Sequence, residues 1–433
     1  MNVVVVEPRV RGGRLHLEAP VRRETGLRTA REGRKQGGSQ KGRCHQQGAQ
    51  LWLDGREVSP PGAALANGMT IDALDIHDGH PLTKGHAGAA VVPGLFACIS
   101  SESAAGLSGE EFLTALVIGY EIALRAGLAL HDTACDYHTS GAWNSLGVAA
   151  LAARRFGLDS GQTRHALGIA EYHGPRSQMM RCIDHPTMLK DGSGWGAMAG
   201  ISAALLARAN FTGAPALTVE SDEVNVTWQD LGSSWHITGQ YFKPHAVCRW
   251  AQPAIEAALK LQHNHPITPE NVKHILVTTF HEAVRLNCRS PQSTEEAQYS
   301  LPFPLAAALV HGRLGVAELT GTALKDPVVL KLCEQVEMKE DAQFNQHFPA
   351  KRLARVEIET EDGNIFDSGE FEADWEASNP PSDPELREKF RRLTGQQLPD
   401  ERAAELEQLV WSCEELPDLG KLLTLITLPI TKD

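Results

Sequence analysis

The chain has no C-x-x-C pair. Its eight cysteines, from Cys44 to Cys413, are scattered, a pattern that suits reduced thiols rather than a disulfide framework, a zinc ribbon or an iron–sulfur centre. No apolar run reaches the roughly 18 residues of a membrane span. The apolar start Met1–Val6 is too short for a signal-peptide core, so a cytoplasmic location is expected. No G-x-G-x-x-G follows a strand pattern, and there is no Walker loop, G-x-S-x-G elbow or kinase motif. Nucleotide and serine-hydrolase chemistry therefore fall away. Positive charge is in deficit, with 41 Lys and Arg against 54 Asp and Glu and a net charge of -13. That balance argues against nucleic acid or an anionic membrane as partner and leaves small molecules or a second copy of the chain.

With 433 residues the chain is long enough for two domains. Residues 1–50 are rich in Arg, Gly and Gln and lack sustained apolar periodicity after Val6, which reads as disorder. A helical domain is expected over 51–245, with periodic windows at Ala63–Ile76, Ala89–Ile99, Glu110–Leu130, Trp143–Phe156 and Trp195–Asn210. Ser108 and Glu111 have the spacing of a capping box, and Gly196, Ala197, Gly200, Ala203 and Ala204 offer a small-residue face for close helix packing. From 246 to 380 the pattern is α+β. Strands are expected at Lys273–Phe280 and Leu353–Thr360, with a hairpin turn at Asp362-Gly363 before Asn364–Phe366, and another strand-like run precedes them at His236–Phe242. Helices are expected near Ala251–Leu261, Glu295–Val310 and Val328–Val336. Residues 381–433 return to helix and would pack back on the helical domain. The fold class is therefore mainly α, a helical core domain with a smaller α+β lid.

Chemistry concentrates in one stretch, Asp75-Ile76-His77-Asp78-Gly79-His80, followed by Lys84-Gly85-His86. Charged groups and imidazoles between two segments that want burial must line a cleft or pair with one another, because isolated buried charge is costly. Asp75 and Asp78 can share a face. His86 lies between Gly85 and Gly88, where a ligand can approach the backbone closely. His138 and Ser140 precede the helix that opens near Trp143, Lys190 precedes the one near Trp195, and Lys243 ends the run 236–242 with Arg249 just beyond. Together with Lys84 these residues outline a cationic pocket in an acidic protein, suited to a substrate carrying several carboxylates. A metal-dependent hydrolase built on His77, Asp78, His80 and His86 is one alternative. A non-catalytic polycarboxylate-binding protein is another.

The segments Ala63–Gly68, Leu74–Asp78, Lys84–Ala89 and Val92-Pro93 resemble the MmgE/PrpD family, which includes 2-methylcitrate dehydratase, cis-aconitate decarboxylase and iminodisuccinate epimerase. The likeness continues through Gly119–Glu121, Tyr137-His138, Ala166–Ala170, Lys190, Phe211–Gly213 and Phe242–Pro244, covering roughly 51–395. The resemblance implies a homodimer with a site between helical domain and lid that uses neither metal nor cofactor. By motif it places the catalytic residues at Asp75, His86, His138, Lys190 and Lys243. Lys84, Arg249 and Ser140 are expected to bind substrate. The reaction expected is proton removal beside a carboxylate, leading to dehydration or epimerisation. The chain departs from family decarboxylases in carrying Gly79 in place of a Thr, Cys248 near the place of a His, and Phe303 in place of a Tyr.

Overall fold

The computed structural model describes residues 7–11, 14–18, 48–101, 107–395 and 397–430. In the first fifty residues, β1 (Glu7–Arg11) pairs antiparallel with β2 (Arg14–Glu18), regular structure where the sequence suggested none. The rest of the expected disordered segment, up to residue 47, lies outside the described residues apart from these strands. A second two-stranded ladder, β3 (Ala49–Gln50) with β4 (Glu57–Val58), leads into the helices.

The helical domain is built from α1 (Pro60–Ala73), α2 (Gly88–Ser101), α3 (Gly109–Thr133), α4 (Gly141–Arg155), α5 (Ser160–His173), the short α6 (Met180–Asp184) and α7 (Ser193–Arg208). Helix α1 starts where it does because the Ser59 side chain accepts from the Gly62 amide and Pro60 and Pro61 occupy positions that need no intrahelical donor. Ser108 caps α3 as its spacing suggested, but Glu111 does not reciprocate: its carboxylate takes the Arg154 guanidinium at 3.0 Å instead. Reciprocal boxes are found instead at α5, between Asp159 and Gln162, and at the later helix Asp383–Thr394, between Ser382 and Glu385. Helix α5 has too few apolar residues to announce itself by periodicity.

Close packing follows from the small-residue face of α7. A Cβ on Gly196 would stand 2.1 Å from Asn144 Oδ1, and one on Gly200 would stand 2.6 Å from the Ser145 carbonyl, so any larger residue would force α7 off α4. Helix α3 is long and apolar enough to cross a membrane by composition alone. Here it lies inside the bundle, with Glu121 and Arg125 buried on it and paired at 3.4 Å.

The lid carries one mixed sheet in the order β6 (Val336–Glu340), β5 (Val272–Thr279), β7 (Leu353–Thr360), β8 (Ile365–Asp367), with β9 (Phe371–Glu372) beside the other half of β7. Strand β5 runs parallel to β6 and antiparallel to β7, and Val277 faces Val356 across that central pair. The alternation in β7 is as expected: Val356 and Ile358 are fully buried and Arg355 is exposed. Gly363, at φ 84°, makes the turn into β8. Helix Gln252–Asn264 packs on the sheet, and helix Pro302–His311 packs on that helix, with Ile255, Leu305 and Leu309 in the shared core.

Three elements differ from expectation. Residues 236–242 form a 3-10 turn at His236–Gly239 and then a single bridge, Tyr241 with Gly79, because no strand lies beside them to complete a ladder. The helix expected over 295–310 is two helices, Thr294–Gln298 and Pro302–His311. Pro302 lacks the amide that would continue the first. The helix expected over 328–336 ends at Cys333, and Val336 opens β6 instead.

The C-terminal helices Asp383–Thr394, Asp400–Trp411 and Gly420–Thr427 follow the lid. Leu406, Leu422 and Leu425 share a core with Leu95, Leu124 and Leu146 of the helical domain. Hydrogen bonds from Gly109 to the Leu416 carbonyl and from Leu53 to the Ile426 carbonyl, both 2.9 Å, tie the chain end to that domain.

Candidate active site

The loop between α1 and α2 holds the dense chemistry. Its first residue of note, Asp75, has φ 48°, a left-handed conformation uncommon for a residue with a side chain. Lys243 holds it there: Nζ donates to Asp75 Oδ1 at 2.7 Å and to the Asp75 carbonyl at 3.3 Å. Both side chains are buried. Burial works against the ammonium, but the Asp75 charge and the hydrogen bond to it outweigh that penalty, so Lys243 keeps its proton above its ordinary pKa. Further along, Gly79 and Tyr241 exchange backbone hydrogen bonds of 3.0 and 2.8 Å, which carries Lys243 to the loop. A Cβ at position 79 would lie 2.4 Å from Tyr241 Oη and 2.8 Å from His86 Nδ1. The tyrosine hydroxyl therefore stands where the side chain of a residue at 79 would begin.

His86 sits one residue before Ala87 and the start of α2. A Cβ on Gly85 would be 2.2 Å from Ser140 Oγ, so only glycine lets the loop press this close to α4. The Ser140 hydroxyl accepts from the His86 amide at 2.8 Å and donates to Asp191. His86 Nδ1 lies 2.6 Å from the Asp78 carbonyl. A carbonyl can only accept, so Nδ1 carries the proton and Nε2 keeps the lone pair. Burial, then the charges of His77 and Lys243, hold the His86 pKa well below 6.5. Near neutral pH this imidazole is a free base. The His77 ring is tilted against it at 4.1 Å, with His77 Nε2 at 3.1 Å from Asp72 Oδ1 and 3.7 Å from Asp75 Oδ1.

These groups meet at a cavity between the two domains. Asp75, Lys84, His86, Tyr241 and Lys243 line it from the helical-domain part of the chain, and Cys248, Arg249 and Arg352 line it from the lid. Its free volume is about 20 Å³, room for roughly one water molecule. Burial and the nearby Asp75 charge push the Cys248 thiol up to about 12, so it stays protonated at any ordinary pH.

Of the residues expected from the sequence, Asp75, His86, Lys243 and Lys84 converge here. Lys190 is buried one layer back: its Nζ donates to Gln298 Oε1 and lies 5.5 Å over the Tyr299 ring, and Tyr299 in turn lines the cavity. His138 is not among the lining residues; its Nδ1 is bonded to the Asp136 carbonyl at 2.9 Å, while its neighbour Tyr137 reaches the cavity. Ser140, expected to bind substrate, is fully buried on Asp191 and the His86 amide. It positions His86 rather than facing a ligand.

Arg249 lines the cavity, but its donors are already taken. They reach Glu376 Oε1 at 2.7 Å, the Asp374 carbonyl at 2.9 Å and Gln252 Oε1 at 3.1 Å. It is a strut within the lid. Replacing Arg249 with Met is expected to lower unfolding free energy by about 3–5 kcal/mol in urea titrations by leaving Glu376 without its partner. A raised KM with unchanged stability would instead mark it as a substrate ligand.

Arg352 and Tyr241 were not singled out from the sequence. Tyr241 stands two residues before Lys243 and could have been found from that neighbour. Arg352 carries no local signal; it immediately precedes β7 and reaches the loop through its bond to the Pro81 carbonyl.

Of the four metal ligands considered from the sequence, His77 and His86 stay together while Asp78 and His80 are engaged elsewhere. The Asp78 carboxyl is bonded to Tyr120, and His80 Nδ1 accepts from the Thr83 amide at 3.4 Å. Asp75, His77 and His86 do bring ligand atoms within 4.8 Å of one another. The Lys243 ammonium already bonded to Asp75 places a fixed positive charge where a cation would have to sit.

Comparison with known proteins agrees with this architecture. The MmgE/PrpD N-terminal domain model matches residues 26–226 and the C-terminal domain model matches 245–415. The first match begins upstream of residue 51, where the resemblance read from motifs began. The chain is 26% identical over 420 residues to a cis-aconitate decarboxylase-like protein, oryM, of Aspergillus oryzae, covering 86% of this chain and 83% of that one. Human cis-aconitate decarboxylase is 28% identical over 399 residues, 86% of this chain and 80% of its own. The mitochondrial 2-methylcitrate dehydratase of Yarrowia lipolytica is 28% identical over 163 residues, 35% of this chain and 31% of its own. With both domain models matched in order across the helical domain and the lid, the chain belongs to the MmgE/PrpD family.

Proposed function

We propose that this chain is a lyase acting on a small di- or tricarboxylate, and that its first step is removal of a proton from the carbon next to a carboxylate by His86 Nε2. The observation that carries this reading is a neutral, buried imidazole with its proton fixed on Nδ1, in one cavity with the Lys243 ammonium. A proton beside a carboxylate is weakly acidic, and losing it places enediolate-like charge on the carboxylate oxygens. That charge must meet donors already in place in a dry site. Lys243 Nζ supplies one, and the Tyr241 hydroxyl, kept protonated chiefly by burial, supplies a second. Asp75 takes two of the three ammonium donors, through its carboxylate and its carbonyl, and leaves one for the substrate. A cavity this small must open at the seam between lid and helical domain before such a substrate can enter.

After proton removal, dehydration expels a hydroxyl, and epimerisation returns a proton to the opposite face. Decarboxylation is disfavoured, although the relatives matched over most of the chain bear that name. Gly79 and Cys248 stand where those enzymes are expected to carry Thr and His, and a thiol that titrates only near 12 cannot exchange a proton during turnover. Incubating the protein with 2-methylcitrate and with cis-aconitate and following products by NMR tests the assignment. Loss of water from the hydroxylated substrate supports it; release of carbon dioxide from cis-aconitate would make the chain a decarboxylase.

The pH profile offers a second check. In the free protein His86 titrates well below 6.5, so kcat/KM, corrected for substrate ionisation, is expected to stay level as pH falls through 6.5 and to drop only below it. Bound carboxylates add negative charge and raise the imidazole pKa, so the acid limb of kcat should lie higher than that of kcat/KM. An acid limb of kcat/KM at or above 6.5 would point to a different base.

A further inference from the structure

Two cations in the cavity, Arg352 and Lys84, have no ion-pair partner within 4 Å among the described residues. Arg352, on the lid, is 2% exposed. Its Nη2 donates to the Pro81 carbonyl at 3.0 Å, its Nε is buried with no partner, and its guanidinium lies 5.2 Å over the Tyr241 ring. Lys84, on the helical-domain loop, has its Nζ 4.9 Å over the Tyr137 ring. Its backbone is held at φ 54° by a bond from the Tyr137 hydroxyl to the Lys84 carbonyl at 2.9 Å. The Pro81 carbonyl accepts from both the Arg352 guanidinium and, at 3.2 Å, the Lys84 amide, so the two residues are tied to one atom across the seam. The other two lining cations are satisfied, Lys243 by Asp75 and Arg249 by Glu376.

A buried guanidinium with an idle donor beside a second cation is costly unless something anionic arrives. The proximity already tells on Lys84: burial first, and the Arg352 charge next, lower its pKa, against weaker support from Glu282 and Asp132. We propose that Lys84 and Arg352 form a two-sided clamp for a substrate carboxylate that is not the one deprotonated beside, one jaw from each domain, so that binding this group holds the seam shut. The clamp rests on the polycarboxylate reading above and refines it: the substrate must carry a second carboxylate, and a monocarboxylate cannot reach the base and the clamp together. The Arg fork can take one carboxylate face with two donors while the Lys84 ammonium meets the remaining lone pairs.

Citrate is a suitable probe, with acetate as the single-carboxylate control, read by thermal shift and calorimetry on the full chain. Citrate should stabilise the protein and acetate should not. Arg352→Met and Lys84→Met should each weaken citrate binding by about 10-fold to 100-fold, as for a lost charged hydrogen bond. Both jaws grip one group, so the double variant should lose less than the product of the two single losses. Arg352→Lys, which keeps the charge and most of the packing, should recover part of the affinity, and Lys84→Met tests the clamp independently if Arg352→Met folds poorly. Citrate affinity unchanged within twofold in both Lys84→Met and Arg352→Lys, with turnover intact, overturns the clamp and leaves the His86 chemistry standing. A wild-type chain that neither binds citrate nor turns over any polycarboxylate overturns both.

Discussion

Replacing His86 with asparagine is expected to reduce turnover by about 10²-fold to 10⁴-fold, the range for loss of a positioned general base, while leaving the melting temperature close to that of the wild type. Asparagine is the informative choice because its side-chain amide can still donate to the Asp78 carbonyl that now accepts from His86 Nδ1 at 2.6 Å. The loop should then keep its path and its backbone bond to Ser140 Oγ at 2.8 Å. Only the lone pair on Nε2 disappears. Steady-state kinetics on whichever polycarboxylate is turned over, with a thermal melt on the same sample, checks both halves. Substantial residual turnover would transfer the base role to another group. His138 is placed poorly for it, because it is not among the residues that line the cavity.

The second large effect concerns the buried pair Lys243 and Asp75. Replacing Lys243 with Met leaves the Asp75 carboxylate, already with one unpartnered oxygen, enclosed without its cation. Breaking a buried pair from one side typically costs about 3–5 kcal/mol. The same change removes the ammonium that would meet the developing enediolate charge, worth about 10²-fold to 10³-fold in turnover. These two effects can be separated. Adding Asp75→Asn to Lys243→Met neutralises the stranded carboxylate and should recover much of the stability, read by urea denaturation, without recovering turnover. If the double variant regained activity together with stability, Lys243 would be a strut for the loop and nothing more.

What the sequence discloses and what it hides follow a physical rule. Local signals were readable: the alternation that makes β7, the periodic window Ala63–Ile76 that falls largely within α1, and the concentration of Asp75, His77, Asp78 and His86 between two helices. Contacts made across long sequence distances were not readable: Lys243 was singled out by its place after the run 236–242 and again by the family likeness, but no local signal shows that it reaches Asp75 from 168 positions away. Where neither local pattern nor motif speaks, the site stayed hidden. Arg352 touches the Pro81 carbonyl across 271 positions and has neighbours in sequence typical of any strand entrance. The run at 236–242 misled because its residues suit a strand, but a strand also needs a partner, and Tyr241 finds one only at Gly79. His138 and Ser140 were drawn in by their place before a helix start. One turned to a local carbonyl and the other to the buried Asp191 carboxyl, whose pKa is raised to about 8 chiefly by burial and by the nearby Asp72 charge.

The central claim is that His86 removes a proton from carbon next to a carboxylate, and hydrogen–deuterium exchange reads that step without waiting for product. Citrate, 2-methylcitrate and cis-aconitate, each incubated with the protein in heavy water near neutral pH, would be followed by proton NMR. The account predicts enzyme-dependent loss of a carbon-bound proton signal from at least one of them, abolished in His86→Asn. Exchange that proceeds equally well in His86→Asn, or turnover of one of these acids with no carbon-bound proton exchanged or lost, would contradict it.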